Sequence, residues 1–197
     1  MTTSITRSFL RPLGPSEQYF WLSNQNSAKH FVIAAEIIGD ATVEAWVSAI
    51  AAAQLRHPLV RISIQSGPEG PPCFHEHANI PIPLRIVPEE NSVTWTVEMA
   101  EELATPILLN GAPLVRITVL RKSGGSTLLL SMHHSIADGL SSAFVIGALV
   151  PEGPAGGGIG QETGGTRGCG KDSGFSCARN QQPVRSARDL VLEENIA

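Results

Sequence analysis

Residues 128–139 have the sequence LLLSMHHSIADG, in which an apolar run leads into two adjacent histidines. Side chains alternate between the two faces of a strand, and here both alternating sets are almost wholly apolar up to the histidines. This pattern predicts a central strand that is buried on both faces. His133 and His134 then stand where the strand ends and a loop begins, followed by Asp138 and Gly139. Such loops concentrate catalytic groups, and neutral imidazole accepts a proton near pH 7, so the histidines are candidate general bases.

The elements on either side predict how this strand is held. Residues 114–121 form an earlier apolar strand, and Lys-Ser-Gly-Gly at 122–125 predicts a hairpin that joins it to a strand over residues 126–133. Residues 139–149 predict a helix that is apolar nearly all round, which is typical of a buried helix. The histidines therefore lie between a hairpin and a buried helix.

The first hundred residues add further strands and helices. In the helix predicted over residues 42–55, apolar residues recur at i, i+3, i+4 and i+7 from Val43. This helix ends before Pro58, because a residue that precedes proline is disfavoured in the helical region. Because helices interrupt strands while one strand pair forms a hairpin, we predict an α+β fold, a two-layer α/β sandwich with a mixed sheet covered by helices. In this part of the chain, the predicted helices cover residues 16–22, 42–55 and 92–104. The predicted strands cover residues 31–38, 60–65, 72–77 and 83–87.

Composition excludes several classes of protein. With 42% hydrophobic and 16% charged residues, the chain is predicted to be a globular domain with a core. A net charge of −4 gives no electrostatic basis for binding nucleic acid or an anionic membrane. No apolar run approaches the roughly 20 residues that span a bilayer, and the first residues lack the apolar segment of a signal peptide. The three cysteines are widely spaced, so we predict no disulfide framework and expect a cytoplasmic protein.

Composition also changes near residue 150. More than half of the 19 glycines follow it, and residues 151–180 show no periodic pattern. Glycine-rich segments lose much entropy on ordering and bury little apolar surface. We therefore predict a folded domain over residues 1–150 and a disordered or aberrant tail over residues 151–197, in which residues 186–196 have the pattern of one or two helical turns.

Four motifs, taken together, resemble those of one superfamily of acyltransferases. They are HHSIADG at 133–139, RPLGPSE at 11–17, LRHPLVR at 55–61 and APLVR at 112–116. The first matches the His-His-x-x-x-Asp-Gly signature of chloramphenicol acetyltransferase, nonribosomal peptide condensation domains and polyketide-associated acyltransferases. The resemblance covers residues 9–149, and the opening most resembles the dimycocerosyl transferases. It implies one lobe of the chloramphenicol acetyltransferase-like fold and a role in polyketide or lipid biosynthesis.

The resemblance also implies a mechanism. His134 would act as the general base on a hydroxyl or amine acceptor, with His133 in a supporting role. The acceptor attacks the thioester of an acyl-CoA or an acyl carrier protein directly, with no covalent acyl-enzyme. The thioester is thus a co-substrate, and the resemblance implies no bound cofactor.

The same resemblance implies an architectural role for Asp138. In the family this carboxylate pairs with an arginine and points away from the substrate. Arg56 and Arg61 are the local candidates for that arginine, although in some members the partner lies in the other lobe. Gly139 follows Asp138 and permits a close turn before the helix.

The chain departs from the family in length. Members are about twice as long and consist of two similar lobes with a tunnel between them, and the Asp-Phe-Gly-x-Gly motif of the second lobe is absent here. We therefore interpret the chain as an amino-terminal lobe, with residues 151–197 as out-of-frame translation or a truncation scar. The expected partner is the missing second lobe, or another copy that binds through an exposed apolar face. The rival hypothesis is an inactive fragment that acts only as a binding or interaction module.

Two further interpretations stay open. His133 and His134 at a strand end are also compatible with purely structural roles. Cys73, His75 and His77 alternate along a predicted strand, which places all three on one face as zinc ligands require, but no fourth ligand lies nearby. Adjacent histidines on a strand face opposite ways and make a poor ligand pair. We therefore predict no metal site.

Overall fold

The computed structural model describes residues 8–67, 70–89, 94–111, 113–150 and 191–193. Four helices and eight strands form the described part of the chain, together with a short 3-10 helix, Pro58–Arg61. The helices are α1 (Pro15–Ser23), α2 (Val43–Arg56), α3 (Trp95–Ala104) and α4 (Gly139–Leu149). The strands are β1 (Ser8–Pro12), β2 (His30–Ile38), β3 (Ile62–Gln65), β4 (Cys73–Glu76), β5 (Leu84–Val87), β6 (Val115–Lys122), β7 (Gly125–His133) and β8 (Val191–Glu193).

The larger sheet has the strand order β5-β6-β7-β2-β8. It is mixed, as predicted, because β5 runs parallel to β6 whereas the other neighbours are antiparallel. β6 and β7 form the predicted hairpin, and Gly124 in its turn has a φ of 74°, which glycine adopts without strain. β7 pairs with β2 along its whole length, from His30 opposite His133 to Ile38 opposite Gly125. Residues 128–133 thus lie in the central strand of the sheet.

The core lies on both faces of this sheet. Leu128, Leu130 and Met132 of β7 belong to one apolar cluster, which also holds residues of α2, α4 and the smaller sheet. Leu129 belongs to a second cluster with Met99 of α3 on the opposite face. Every residue of β7 is buried, as the apolar residues on both faces of the strand predicted. The α+β class with a mixed sheet covered by helices is confirmed, and the helices lie on both of its faces.

A second sheet was not predicted as a separate unit. It has the order β1-β4-β3, and all its pairings are antiparallel. β3 is shorter than the predicted strand over residues 60–65, because Pro58 begins a 3-10 helix that continues to Arg61. β1 escaped prediction altogether, since it ends in Pro12, and proline is tolerated in a sheet only at edges and strand ends.

The prediction that α4 is buried all round is wrong. Its inner face holds Val145, Ile146 and Leu149 in the core, whereas Leu140 is 72% exposed and Phe144 is 69% exposed. Within the described part of the chain, α4 packs on the sheet and α2 with one face only. An apolar composition on every side of a helix therefore did not mean burial on every side.

Of the predicted tail over residues 151–197, the structure describes only residues 191–193. Residues 191–193 form β8, which pairs antiparallel with Val32–Ala34 of β2, so the expected helical turn is wrong there. Residues 151–190 and 194–197 lie outside the described residues, and the expected disorder of the tail stays a prediction. Among the described helices, none is both long enough and apolar enough to cross a membrane.

Candidate functional site

The two histidines are held at the end of β7 by backbone hydrogen bonds. The His133 amide donates to the carbonyl oxygen of Leu114 at 3.0 Å, and the His134 amide donates to that of Lys29 at 3.0 Å. Because side chains alternate along a strand, the two imidazole rings leave the chain on opposite sides. Their environments differ accordingly.

His133 is fully buried, and the protein uses both of its ring nitrogens. Asn24 Oδ1 accepts the Lys29 amide and also lies 3.2 Å from His133 Nε2, so Nε2 is the protonated nitrogen that donates. His133 Nδ1 accepts the Ser135 amide at 3.1 Å. Burial, with the nearby His134 and His30 rings, lowers the pKa of His133 to about 3. It is therefore a neutral imidazole in one tautomer, with a structural role.

His134 is only half-buried, and two aromatic rings contact it. The Phe20 ring is stacked on the imidazole with centroids 4.8 Å apart and an interplanar angle of 18°. The Phe31 ring lies 4.5 Å from it at 35°. Both contacts lie within the distance range typical of stacked rings. His134 is thus the histidine of the pair that solvent reaches, with an orientation set by its aromatic neighbours.

Asp138 caps α4. Its carboxylate Oδ1 accepts the Ser141 amide at 2.7 Å, and its side chain is exposed at the helix N-terminus. The hydrogen bond from Ser141 lowers the pKa of Asp138, so the carboxylate is charged at neutral pH, as the helix dipole favours. Gly139 is the first residue of α4.

Neither local arginine forms an ion pair with Asp138 in the described part of the chain. Arg61 Nε instead donates to Glu76 of β4 at 2.6 Å, and its guanidinium also donates to the Gln54 carbonyl oxygen at 2.5 Å. Arg56 is exposed in the last turn of α2. In place of the expected pairing of Asp138 with Arg56 or Arg61, Asp138 caps α4, and Arg61 at the end of the 3-10 helix pairs with Glu76 of the smaller sheet.

Sequence reasoning missed the residues around the histidines. Phe20, Asn24 and Phe31 carry no chemical signature of their own, yet they determine how both imidazoles are held. The one available signal was spacing, because positions 20 and 24 share a face of α1. Nothing in a helical pattern indicates which distant residues such a face meets.

A second missed feature is the buried Glu102 of α3. Burial opposes its ionisation, but hydrogen bonds from Thr118 and Arg116 outweigh it and lower the pKa of Glu102. Ser131 of β7 also donates to its carboxylate at 3.0 Å, and His30 Nε2 lies 3.1 Å from its carbonyl oxygen. This network ties α3 to the face of the sheet opposite His134.

An open cleft of about 730 Å³ lies beside α1. None of the residues that line it is ionisable, and most are polar, so it suits neutral hydrogen-bonding groups. It adjoins the histidines because Asn24, which binds His133, is part of its wall. The lining residues are Trp21, Asn24, Gln25, Ile64, Gln65, Ser66, Leu109 and Asn110.

The described residues contain no group of three or more His, Cys, Asp and Glu side chains that could hold a metal ion. Cys73, His75 and His77 therefore do not form the ligand set that their spacing suggested. His77 is buried, and its Nε2 lies 2.7 Å from Ser63 Oγ.

Comparison with known proteins identifies the family to which this arrangement belongs. The condensation-domain family model matches residues 12–150, including both histidines. The chain belongs to the condensation-domain family. Members of this family form amide or ester bonds by acyl or peptidyl transfer. One component of the linear gramicidin synthase of Brevibacillus parabrevis is 28% identical over 149 residues, which cover 70% of this chain and 2% of that protein.

Two solved condensation domains and one polyketide synthase associated protein share the fold. The first condensation domain of the CDA synthetase gives a TM-score of 0.62 at 18% identity, over 71% of this chain and 38% of that one. The starter condensation domain of rhizomide synthetase gives 0.60 at 14% identity, over 73% and 36%. Polyketide synthase associated protein 5 from Mycobacterium tuberculosis gives 0.52 at 19% identity, over 73% and 31%. The expected chloramphenicol acetyltransferase-like fold is thus confirmed, and this chain spans less than half the length of each of these relatives.

Proposed function

We propose that this condensation-domain chain provides the general base for acyl transfer from a thioester to a hydroxyl or amine. The observation that carries the proposal is the difference between the two histidines. His133 is fully buried, whereas His134 is half-buried and packs against Phe20 and Phe31. Of the two rings, the half-buried one is therefore the one that a substrate can reach.

In the proposed reaction, His134 accepts the proton of the hydroxyl or amine as that group attacks the thioester carbonyl. The carbon–sulfur bond breaks when the tetrahedral intermediate collapses, and the proton held by His134 leaves with the thiol. The donor is an acyl-CoA or an acyl carrier protein, and the chain needs no bound cofactor for this step. The proposal includes a cytoplasmic setting, which the three widely spaced cysteines favour, and a place in polyketide or lipid biosynthesis.

The remaining signature residues act through the scaffold in this proposal. His133 fixes the end of β7, while Asp138 and Gly139 begin α4 directly after the histidine loop, residues 134–137. Arg61 ties α2 to the smaller sheet, and Arg56 closes α2 with a positive charge at its C-terminus, which the helix dipole favours.

The test compares His134→Ala with His75→Ala, a half-buried histidine of β4 outside the proposed site. Thiol release from acyl-CoA and from an acyl carrier protein would be measured with a panel of alcohols and amines. The assays would use the chain itself and the chain joined to the carboxyl-terminal lobe of a condensation domain. We expect His134→Ala to lower turnover by about 10²–10⁴-fold, the usual contribution of a general base, and His75→Ala to leave it unchanged. Equal activity of the two variants would contradict the proposal.

A second candidate function is an interaction module without catalysis. The exposed apolar face of α4, with Leu140 and Phe144, favours it because a contiguous apolar surface marks interaction sites. The assay above separates the two functions. If the chain binds a second lobe but shows no turnover either alone or joined to that lobe, the result would favour the interaction module.

A further inference from the structure

One side of α1 contacts three consecutive residues of the histidine signature. The Glu17 carbonyl oxygen accepts the Ser135 hydroxyl at 3.0 Å. The Phe20 ring stacks on His134, and the Asn24 side chain accepts a hydrogen bond from His133 Nε2. Positions 17, 20 and 24 are spaced i, i+3 and i+7, so they lie in one stripe along the helix. The stripe meets the signature in reverse order, as expected when the helix and the loop run in opposite directions.

The stripe is itself fixed at both ends. At the start of α1, the Glu17 carboxylate accepts the Gly14 amide at 2.6 Å and both terminal guanidinium nitrogens of Arg11, at 2.7 and 2.6 Å. At the other end, Asn24 Oδ1 accepts the Lys29 amide at 2.9 Å, while the Lys29 carbonyl oxygen accepts the amide of His134. α1 is therefore connected to the histidine loop through side chains and through the backbone.

We propose that this stripe, which consists of Glu17 and Phe20 in α1 and Asn24 at its C-cap, is a positioning clamp that orients the His134 ring for proton transfer. The proposal rests on the proposed function of His134 as general base. Phe20 holds the ring face, and Asn24 holds His133 in the Nε2-protonated tautomer, whose Nδ1 can then accept the Ser135 amide. Phe20 and Asn24 are positioning residues, because they act on the base through its orientation.

The clamp can be tested in the full 197-residue chain by NMR of the histidine side chains, which requires no turnover. A stacked aromatic ring shifts the imidazole ring protons upfield, so the His134 signals report the stack directly. We expect Phe20→Leu to move these signals downfield and Phe20→Tyr to leave them upfield. Tyr19→Leu is the matched control, because Tyr19 is the preceding helical residue, 64% exposed, and its ring packs on Phe20 edge-on. Unmoved His134 signals in folded Phe20→Leu would overturn the clamp.

A second variant keeps the test decisive if Phe20→Leu does not fold. Asn24→Ala removes the acceptor of His133 Nε2, whereas Asn24→Asp retains an oxygen at that position. Histidine nitrogen shifts should show that His133 leaves the single Nε2-protonated state in Asn24→Ala and keeps it in Asn24→Asp. The same tautomer in the wild-type chain and in Asn24→Ala would overturn the role of Asn24.

Turnover separates the clamp from the proposed function. When the chain is joined to the carboxyl-terminal lobe of a condensation domain, Phe20→Leu should lower kcat roughly twofold to tenfold with little change in KM. The reason is that a stacking contact is lost and the base is misoriented. Phe20→Tyr should restore kcat. If His134→Ala keeps full turnover while the NMR signals follow the expected pattern, the proposed function fails and the stack on His134 stands. Tyr19→Leu should leave both kcat and KM unchanged, and if folded Phe20→Leu also leaves both unchanged, the positioning role fails.

Discussion

At the scale of the residue, two adjacent histidines have different surroundings because a strand turns them to opposite sides. His133 faces the α3 side with His30 and is fully buried, and its two nitrogens have protein partners. His134 follows Met132 on the other side and reaches solvent. The neutral, buried ring of His133 has a structural role, whereas the solvent-accessible ring of His134 suits the proposed role of general base.

The low pKa of His133 predicts acid sensitivity. Its value of about 3 in the folded chain lies below the ordinary 6.5, so this contribution to stability is complete above pH 6.5 and is lost as the pH falls toward 3. Burial lowers the pKa of His30 in the same direction. We expect the free energy of unfolding in urea to fall by up to about 1.4 kcal/mol per pH unit for each such histidine between about pH 6.5 and pH 5.

The controls for this prediction come from the same chain. The carboxylates of Glu17 and Glu102, whose pKa values are lowered from 4.5, lose their stabilising effect only below that value, so the chosen interval reports the histidines. His133→Gln should flatten the pH dependence, and His75→Gln should retain it. A slope in His133→Gln equal to that of the wild-type chain would show that His133 is not the group responsible.

Asp138 provides a second prediction at this scale. Because its carboxylate is an exposed helix cap, Asp138→Ala should lower the free energy of unfolding by about 1 kcal/mol, the usual value of a cap. Asp138→Asn retains an acceptor for the Ser141 amide and should lose much less. Asp40→Ala, at another exposed aspartate, should be near neutral in the same urea titration. A loss of several kcal/mol in Asp138→Ala would indicate a buried, paired carboxylate instead.

At the scale of the element, the pairing of β2 with β7 determines where the histidines stand. The register runs without interruption from His30 opposite His133 to Ile38 opposite Gly125. The hairpin turn at Gly124 sets one end of this register, and the hydrogen bond from His134 to Lys29 lies just beyond the other. A disturbance at the turn would therefore be transmitted along β7 to the site.

Gly125 is the position where this pairing is most sensitive. A Cβ there would lie 2.3 Å from the Ile37 carbonyl oxygen, and a backbone atom cannot yield as a flexible side chain does. We expect Gly125→Ala to destabilise the chain by about 1–3 kcal/mol, the range for an overpacked site. Gly111→Ala is the control, because no heavy atom lies within 4 Å of its Cβ, and it should change stability by less than about 0.5 kcal/mol. Equal thermal stability of the two variants would mean that β2 and β7 do not approach so closely.

At the scale of the whole molecule, the described part of the chain has an apolar outer face on α4. The described residues bury the inner side of α4 and leave Leu140 and Phe144 exposed. The chain spans 38% of the CDA synthetase condensation domain, which extends well beyond the matched part. We infer that the outer face of α4 is a contact surface for a second lobe or for another copy of the chain.

This surface predicts self-association of the chain. The double variant Leu140→Gln, Phe144→Gln should lower the average mass in solution toward that of a monomer, because it removes the apolar patch. Leu55→Gln is the control, since Leu55 is 79% exposed on α2 rather than on α4. Sedimentation of the wild-type chain as a monomer at all concentrations would contradict the prediction.

The elements nearest the histidines followed from the sequence by itself, because their signals are local. The nearly continuous apolar run over residues 128–132 identified β7, the Gly-Gly pair identified the hairpin, and the spacing from Val43 identified α2. The signature at 133–139 likewise indicated the family that residues 12–150 match. Each of these features depends on residues that lie close together in the sequence.

The tertiary structure alone decided the partners of those residues. The bond between Asn24 and His133 joins positions 109 apart, and no periodic pattern connects them. In the same way, Arg61 binds Glu76 because β3 and β4 pair side by side, so Asp138 is left to cap α4. Periodicity states which side of an element is apolar, but which surface covers that side depends on how the whole chain packs. The buried His133 and the exposed outer face of α4 both follow from that packing.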